Sequence, residues 1–232
     1  MQWFGIRLPR KKSLAPLLVF LMVSSRGMTP AEDAPQWGRK HTRNMISQEV
    51  GLPDSFDPGK WDPRNDRVDP TTTRNVRWTA SLGQVAYGSP VVAEGRVLVG
   101  TNEARSDDPQ LKGDRGVLMC FAEDDGEFLW ELVVPKMYEI KFSDWHRVGI
   151  SSTPVVEDGR VYLTTNRCEV VCLDLAGMAD GNQGPYEAEA AHMANPGDPP
   201  VKPTDRHADI LWLTDMVAEV GAKPHNAANC SV

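Results

Sequence analysis

The sequence predicts an all-β chain built from repeated four-stranded antiparallel units, and three observations carry that expectation. There is an ungapped internal repeat, a tight-turn signal inside each copy, and a tryptophan near the end of each unit. SPVVAEGRVLVGTN (Ser89 to Asn102) aligns on TPVVEDGRVYLTTN (Thr153 to Asn166), 64 residues further on, with eight of fourteen positions identical.

Each copy opens as a hairpin. Pro90 to Val92 and Arg96 to Gly100 flank Ala93-Glu94-Gly95, while Pro154 to Val156 and Arg160 to Thr164 flank Glu157-Asp158-Gly159. An acidic residue followed by glycine between β-branched runs is a hairpin signal, because Gly95 and Gly159 supply the positive φ that such turns need. Pro90 and Pro154 have no N–H to donate to a ladder and should open their strands. A third strand follows in each copy, Gly116 to Ala122 and Glu169 to Leu175. The longer intervening loop of the first copy, Glu103 to Arg115, is charged and is expected to face solvent.

A fourth strand ends each unit in tryptophan: Glu127 to Trp130 in the first copy and Asp209 to Trp212 in the second. The second is delayed by a Gly-, Pro- and Asn-rich excursion, 178–208, of a length that is usually functional or disordered. Asn75 to Trp78 reads as the fourth strand of a preceding unit. A lone four-stranded sheet cannot bury both faces, so the units should stack radially, each docking its tryptophan on a neighbour. The architecture expected is therefore a partial β-propeller: residues 71–232 hold about two full blades, after a signal at 1–25 and an irregular segment at 26–70. Closed propellers have at least four blades, so further blades beyond residue 232, or self-association, would complete the ring.

Composition excludes several classes. The 232 residues are 41% hydrophobic and 25% charged, which fits neither a collagenous, a disordered nor a multi-span membrane chain. Beyond the first 25 residues, 21 basic residues face 32 acidic ones with no cationic run, which argues against nucleic acid as a partner. Arg7, Arg10, Lys11 and Lys12 precede the apolar run Leu14 to Val23 and then Ser24-Ser25, the pattern of a cleaved export signal. An uncleaved anchor is the alternative, although the run is short for a spanning helix. The expected location is periplasmic or extracellular, without a lipoprotein cysteine.

Four cysteines, Cys120, Cys168, Cys172 and Cys230, allow three disulfide pairings in an exported protein. Cys168 and Cys172 fall four apart in an expected strand, too far to bridge each other. Cys168 with Cys230 is the pairing to test, against the alternative that the thiols are free and buried.

CFAEDDGEFLW (Cys120 to Trp130) resembles the tryptophan-docking motif of the pyrroloquinoline-quinone-type β-propeller repeat, with Gly126 and Trp130 on its fixed positions. Asp125 stands where threonine is usual, and Ala122 where aspartate is. GSPVV, STPVV and the opening QWGRKHTRN (Gln36 to Asn44) look like the same superfamily. The resemblance spans about Thr71 to Leu175 and Asp209 to Trp212. It implies one of two roles: a binding scaffold that holds a protein or small ligand on its loops, or an alcohol dehydrogenase that holds the quinone with calcium. The adjacent cysteine pair of such dehydrogenases has no counterpart here, so no catalytic or cofactor-binding residue carries over. The leading expectation is an exported scaffold; the alternative is part of a quinone-dependent dehydrogenase whose active site lies beyond residue 232.

Other chemistry is sparsely signalled. His41, His146, His192, His207 and His225 are scattered, with no paired metal spacing. Ser143 to Arg147 (SDWHR) occupies a connection between units, where propellers bind ligands; the alternative is that Trp145 is buried packing and His146 bonds locally. Asp174, Asp180 and Asn182 offer oxygens for calcium but miss the loop spacing, and turn duty is the alternative. Asn229-Cys230-Ser231 is a glycosylation sequon, and no G-x-S-x-G surrounds any serine.

Overall fold

The computed structural model of the chain describes residues 32–39, 42–65, 67–137 and 143–232. The export signal expected at 1–25 lies outside the described residues, as does His41. Among the described residues, no helix is long and apolar enough to cross a membrane.

Among the described residues the fold is mostly β, with three antiparallel sheets of two, four and four strands. A small hairpin comes first, β1 (Lys60–Asp62) with β2 (Arg67–Asp69), and sets Trp61 opposite Val68. It lies within the segment read from sequence as irregular. The next sheet is a meander of β3 (Val91–Ala93), β4 (Arg96–Thr101), β5 (Gly116–Ala122) and β6 (Phe128–Val134). The third repeats it with β7 (Val155–Glu157), β8 (Arg160–Thr164), β9 (Glu169–Asp174) and β10 (Ile210–Asp215).

The local causes recur as well. Glu94 and Gly95 have φ of 50° and 74°, and Asp158 and Gly159 have 50° and 72°, so both hairpins turn through two left-handed residues. An irregularity in the ladder falls at the same place in each sheet, between Cys120 and Phe121 in one and between Ile210 and Trp212 in the other. It brings Trp130 opposite Cys120 and Trp212 opposite Cys172.

The apolar run of β5 does not alternate with polar residues because both of its faces are buried. Leu118 and Cys120 join Trp130, Leu132, Val161, Leu163 and Val171 in a core between the two large sheets. Val117, Met119 and Phe121 point the other way, into a second core closed by Leu111 and by Met193, Ala194 and Val201 of the long excursion. The excursion is therefore a cover. It carries the short helix α1 (Glu189–His192) and returns beside β6, where Glu131 N–H donates to the Arg206 carbonyl and Ala208 N–H to that of Glu131, both at 2.9 Å. The opposite edges are stitched by the amino-terminal segment: Ala34 N–H donates to Val92 O at 2.7 Å and Val156 N–H to Pro35 O at 2.8 Å. Main-chain groups left unpaired on an edge strand invite foreign pairing, and these contacts occupy them.

Several expectations change. Asn75 to Trp78 joins no sheet; it is extended chain beside an isolated bridge between Asp57 and Arg74. A fourth strand needs a third to pair with, and none stands there among the described residues. Cys168 is not in a strand: at φ 63° it makes the turn into β9, its N–H donating to Thr165 O. The loop Glu103 to Arg115 is only partly solvent-facing, because Leu111 and Arg115 are buried under the excursion. The Arg115 guanidinium is satisfied there by the carbonyls of Met193 and Gln110.

Candidate functional site

The repeated feature of the molecule is a tryptophan contact that reaches forward from one unit to the next. The Trp78 indole N–H donates to Glu123 O at 2.8 Å, and Trp130 donates to Leu175 O at 3.0 Å, each 45 residues ahead. Each ring lies against a glycine. A Cβ on Gly126 would stand 2.5 Å from the Trp78 ring, and one on Gly177 would stand 2.6 Å from Trp130. Both glycines have positive φ, 75° and 63°, so close approach and backbone conformation select glycine together.

Gly126 and Trp130, which the sequence pairs as one motif, thus serve two different contacts: Gly126 receives the ring from the preceding segment, and Trp130 projects into the next. Gly177 was missed because it lies just beyond the repeat. Its signal was available, in that it occupies the second copy's version of the turn that holds Gly126. Gly95 and Gly159 make turns only, with open space around the position of a Cβ. Trp212 holds the place of Trp130 in its sheet but is 41% exposed, touching Tyr162 with ring centroids 6.3 Å apart.

The connection between the large sheets forms a polar pocket of about 340 Å³ lined by Lys112, Asp114, Arg115, Lys136, Asp144 and His146, among others. Lys136 and Asp144 form a buried ion pair, with the Lys136 ammonium also donating to Trp145 O at 2.7 Å. Asp144 accepts further bonds from Met137 N–H and from the Asn166 amide, which also donates to Pro135 O. Lys136 and Asp144 are thus held by each other and by their neighbours, and removal of either would strand the other in the interior. Trp145 is not packing, as it is 53% exposed. His146 bonds locally, Nδ1 lying 2.9 Å from Asp114.

Under the excursion lies a second polar group. Glu169 accepts from Thr165 Oγ1 at 2.8 Å and meets His192 Nε2 at 3.1 Å, while His192 Nδ1 is buried without a partner. Burial works to raise the Glu169 carboxyl, but the bonds and charges of His192, Arg167 and Thr165 hold it below the ordinary value. Glu131 goes the opposite way: burial lifts it despite bonds from the N–H groups of Arg105 and Ser106. That carboxylate shapes the Glu103 to Arg115 loop. A charged residue inside FLWELVV was its sequence signal, since a buried carboxylate must find donors.

The residues considered for calcium do turn work. Asp174 accepts from Ala176 N–H, Asn182 donates to Glu189, and the Asp180 carbonyl accepts from Gln183. Among the described residues, no group of three or more His, Cys, Asp or Glu is placed to hold a metal ion, and no two cysteines are adjacent. All four cysteines are thiols: Cys120 and Cys172 are buried, Cys168 is half-buried and Cys230 exposed. Burial pushes the Cys120 thiol up to about 12. Burial first, then the neighbouring Cys230, raises Cys168, so the pair singled out from sequence are neighbours. No protein-family model matches the sequence, and comparison with the curated proteins returns no match.

Proposed function

We propose that this chain is part of an exported β-propeller that works as a binding scaffold. The observation that carries the reading is the paired forward contact, Trp78 on Gly126 and Trp130 on Gly177, spaced alike, the first tying an extended segment to a four-stranded sheet and the second tying that sheet to the next. Radial stacking of such units is the arrangement in which a contact of this kind repeats. Trp212, register-equivalent to Trp130 yet exposed, supports a further glycine-bearing unit as its partner, supplied by more chain or by another molecule.

Binding is favoured over catalysis because the polar groups of the connecting loops brace one another. Among the described residues of these loops, Lys136 is spent on Asp144 and Trp145 rather than held free as a base. Two experiments test the reading. Oxidation of the protein from its native host by N-bromosuccinimide, mapped by peptide mass, should spare Trp212 while modifying Trp61 and Trp145. Equal reactivity of all three would remove the further unit. Titration with pyrroloquinoline quinone and calcium should change neither the absorption spectrum nor dye-coupled alcohol oxidation; a response in both would favour the dehydrogenase.

A further inference from the structure

A groove of about 790 Å³ opens between the small β1–β2 hairpin and the first large sheet, and it shares no lining residue with the polar pocket described above. Its volume is that of a site for a small ligand or a few side chains. We propose that this groove docks a short peptide segment that combines carboxylates with apolar side chains.

Three arginines, Arg67, Arg77 and Arg105, line the groove together with Trp61, Trp78 and Phe128, and among the described residues none that lines it is acidic. This is unexpected in a chain of formal net charge −7. The floor is rigid: the Trp78 and Phe121 rings are 6.3 Å apart, and Phe121 meets Phe128 edge-on at 5.9 Å. The Arg105 guanidinium is held 4.8 Å above the Phe128 ring, while its backbone N–H is tied to Glu131. Arg77 contacts Asp124 at 2.7 Å, but the two side chains are 55% and 91% exposed, so that pair exchanges readily for a ligand carboxylate. Trp61, 56% exposed on the hairpin, offers an apolar surface that nothing in the chain covers fully.

Aromatic rings with arginine are the composition of protein-binding hot spots, and planar guanidinium groups recognise carboxylates by paired bonds. The acidic balance of the rest of the molecule repels a long polyanion, which favours a short acidic peptide over nucleic acid. The groove is made by the hairpin, the extended segment 77–83 and the first large sheet with its loops, so it stands whether or not the propeller reading does.

The test uses the full chain and a fluorescein-labelled pool of dodecapeptides randomised over Asp, Glu, Phe and Leu, read by fluorescence anisotropy. Comparison pools replace the acids by Lys, or the apolar residues by Ser, and labelled oligo-dT is the nucleic-acid arm. The acidic–apolar pool should bind best, with affinity falling as salt rises. The double variant R67E/R105E should weaken binding about tenfold or more, as expected for reversed charge at a complementary surface. Trp61→Ala, at an exposed position, should weaken binding with an unchanged melting temperature, which separates a docking loss from a folding loss. Equal binding of the Lys pool, unchanged affinity in both variants, or tighter binding of oligo-dT would each overturn the proposal.

Discussion

Replacement of Trp130 by alanine is the sharpest trial of the forward contacts. The side chain is 1% exposed and its indole N–H is bonded to Leu175 O. Truncating a buried tryptophan costs about 3 to 5 kcal/mol, and the stranded carbonyl adds about 1 kcal/mol. Against a whole-domain stability of about 5 to 15 kcal/mol, that is a large share. At about 2 to 4 °C per kcal/mol for a chain of this size, the midpoint should fall by roughly 8 to 24 °C. Trp212→Ala, measured on the 232-residue chain with no partner added, is the internal comparison, because the same residue type in the same register is 41% exposed there and should cost about 1 kcal/mol or less. Thermal and urea unfolding followed by far-ultraviolet circular dichroism would measure both. If the two variants lose equal stability, or Trp130→Ala loses none, the docking argument is wrong.

Gly177→Ala should destabilise without removing any contact, because its Cβ meets Trp130 at 2.6 Å and its φ is 63°; a melting point within 1 °C of the parent would contradict this. His207 is buried with Nδ1 accepting from Thr204 N–H, and burial lowers its pKa below 6.5. Since the unfolded chain then takes up the proton first, stability from neutral His207 is present above pH 6.5 and is lost as pH falls from there through the lower folded-state pKa. Buried Glu131, Glu189 and Asp209, all raised by burial, change stability in the opposite sense, so the measurement is the difference in melting curves between the parent and His207→Gln across this range. Iodoacetamide should label Cys230 first and leave Cys120 unlabelled in the folded protein, and mild oxidation should join Cys168 to Cys230, seen as a cross-linked peptide by mass; labelling of Cys120 alongside Cys230 would refute the burial argument.

What was legible in the sequence was what local chemistry controls. The two hairpins follow from Glu94-Gly95 and Asp158-Gly159, whose conformational demands act within four residues, and the observed strands fall within a residue or two of expectation at these turns. Long-range pairing was not legible. Asn75 to Trp78 has the composition of a strand, but strand formation needs a partner, and its tryptophan docks from extended chain instead. The 178–208 excursion looks polar and loose because the apolar members that close the second core, Met193, Ala194 and Val201, stand among Gly, Pro and Asn and act only once they meet the outer face of β5. Cys168 was misplaced for a similar reason: the apolar run invites extension of β9 backwards, whereas the Thr165 to Glu169 turn halts it.

The tryptophan contacts also have a direction in time. Each ring waits for a carbonyl 45 residues further along, so during synthesis at about 5 to 20 residues per second it stays uncovered for roughly 2 to 9 s after it is made. A nascent chain of this design carries a bare indole through most of the synthesis of residues 78–177, first Trp78 and then Trp130. Such a chain should depend on holding chaperones most strongly when translation is slowed between Trp130 and Gly177.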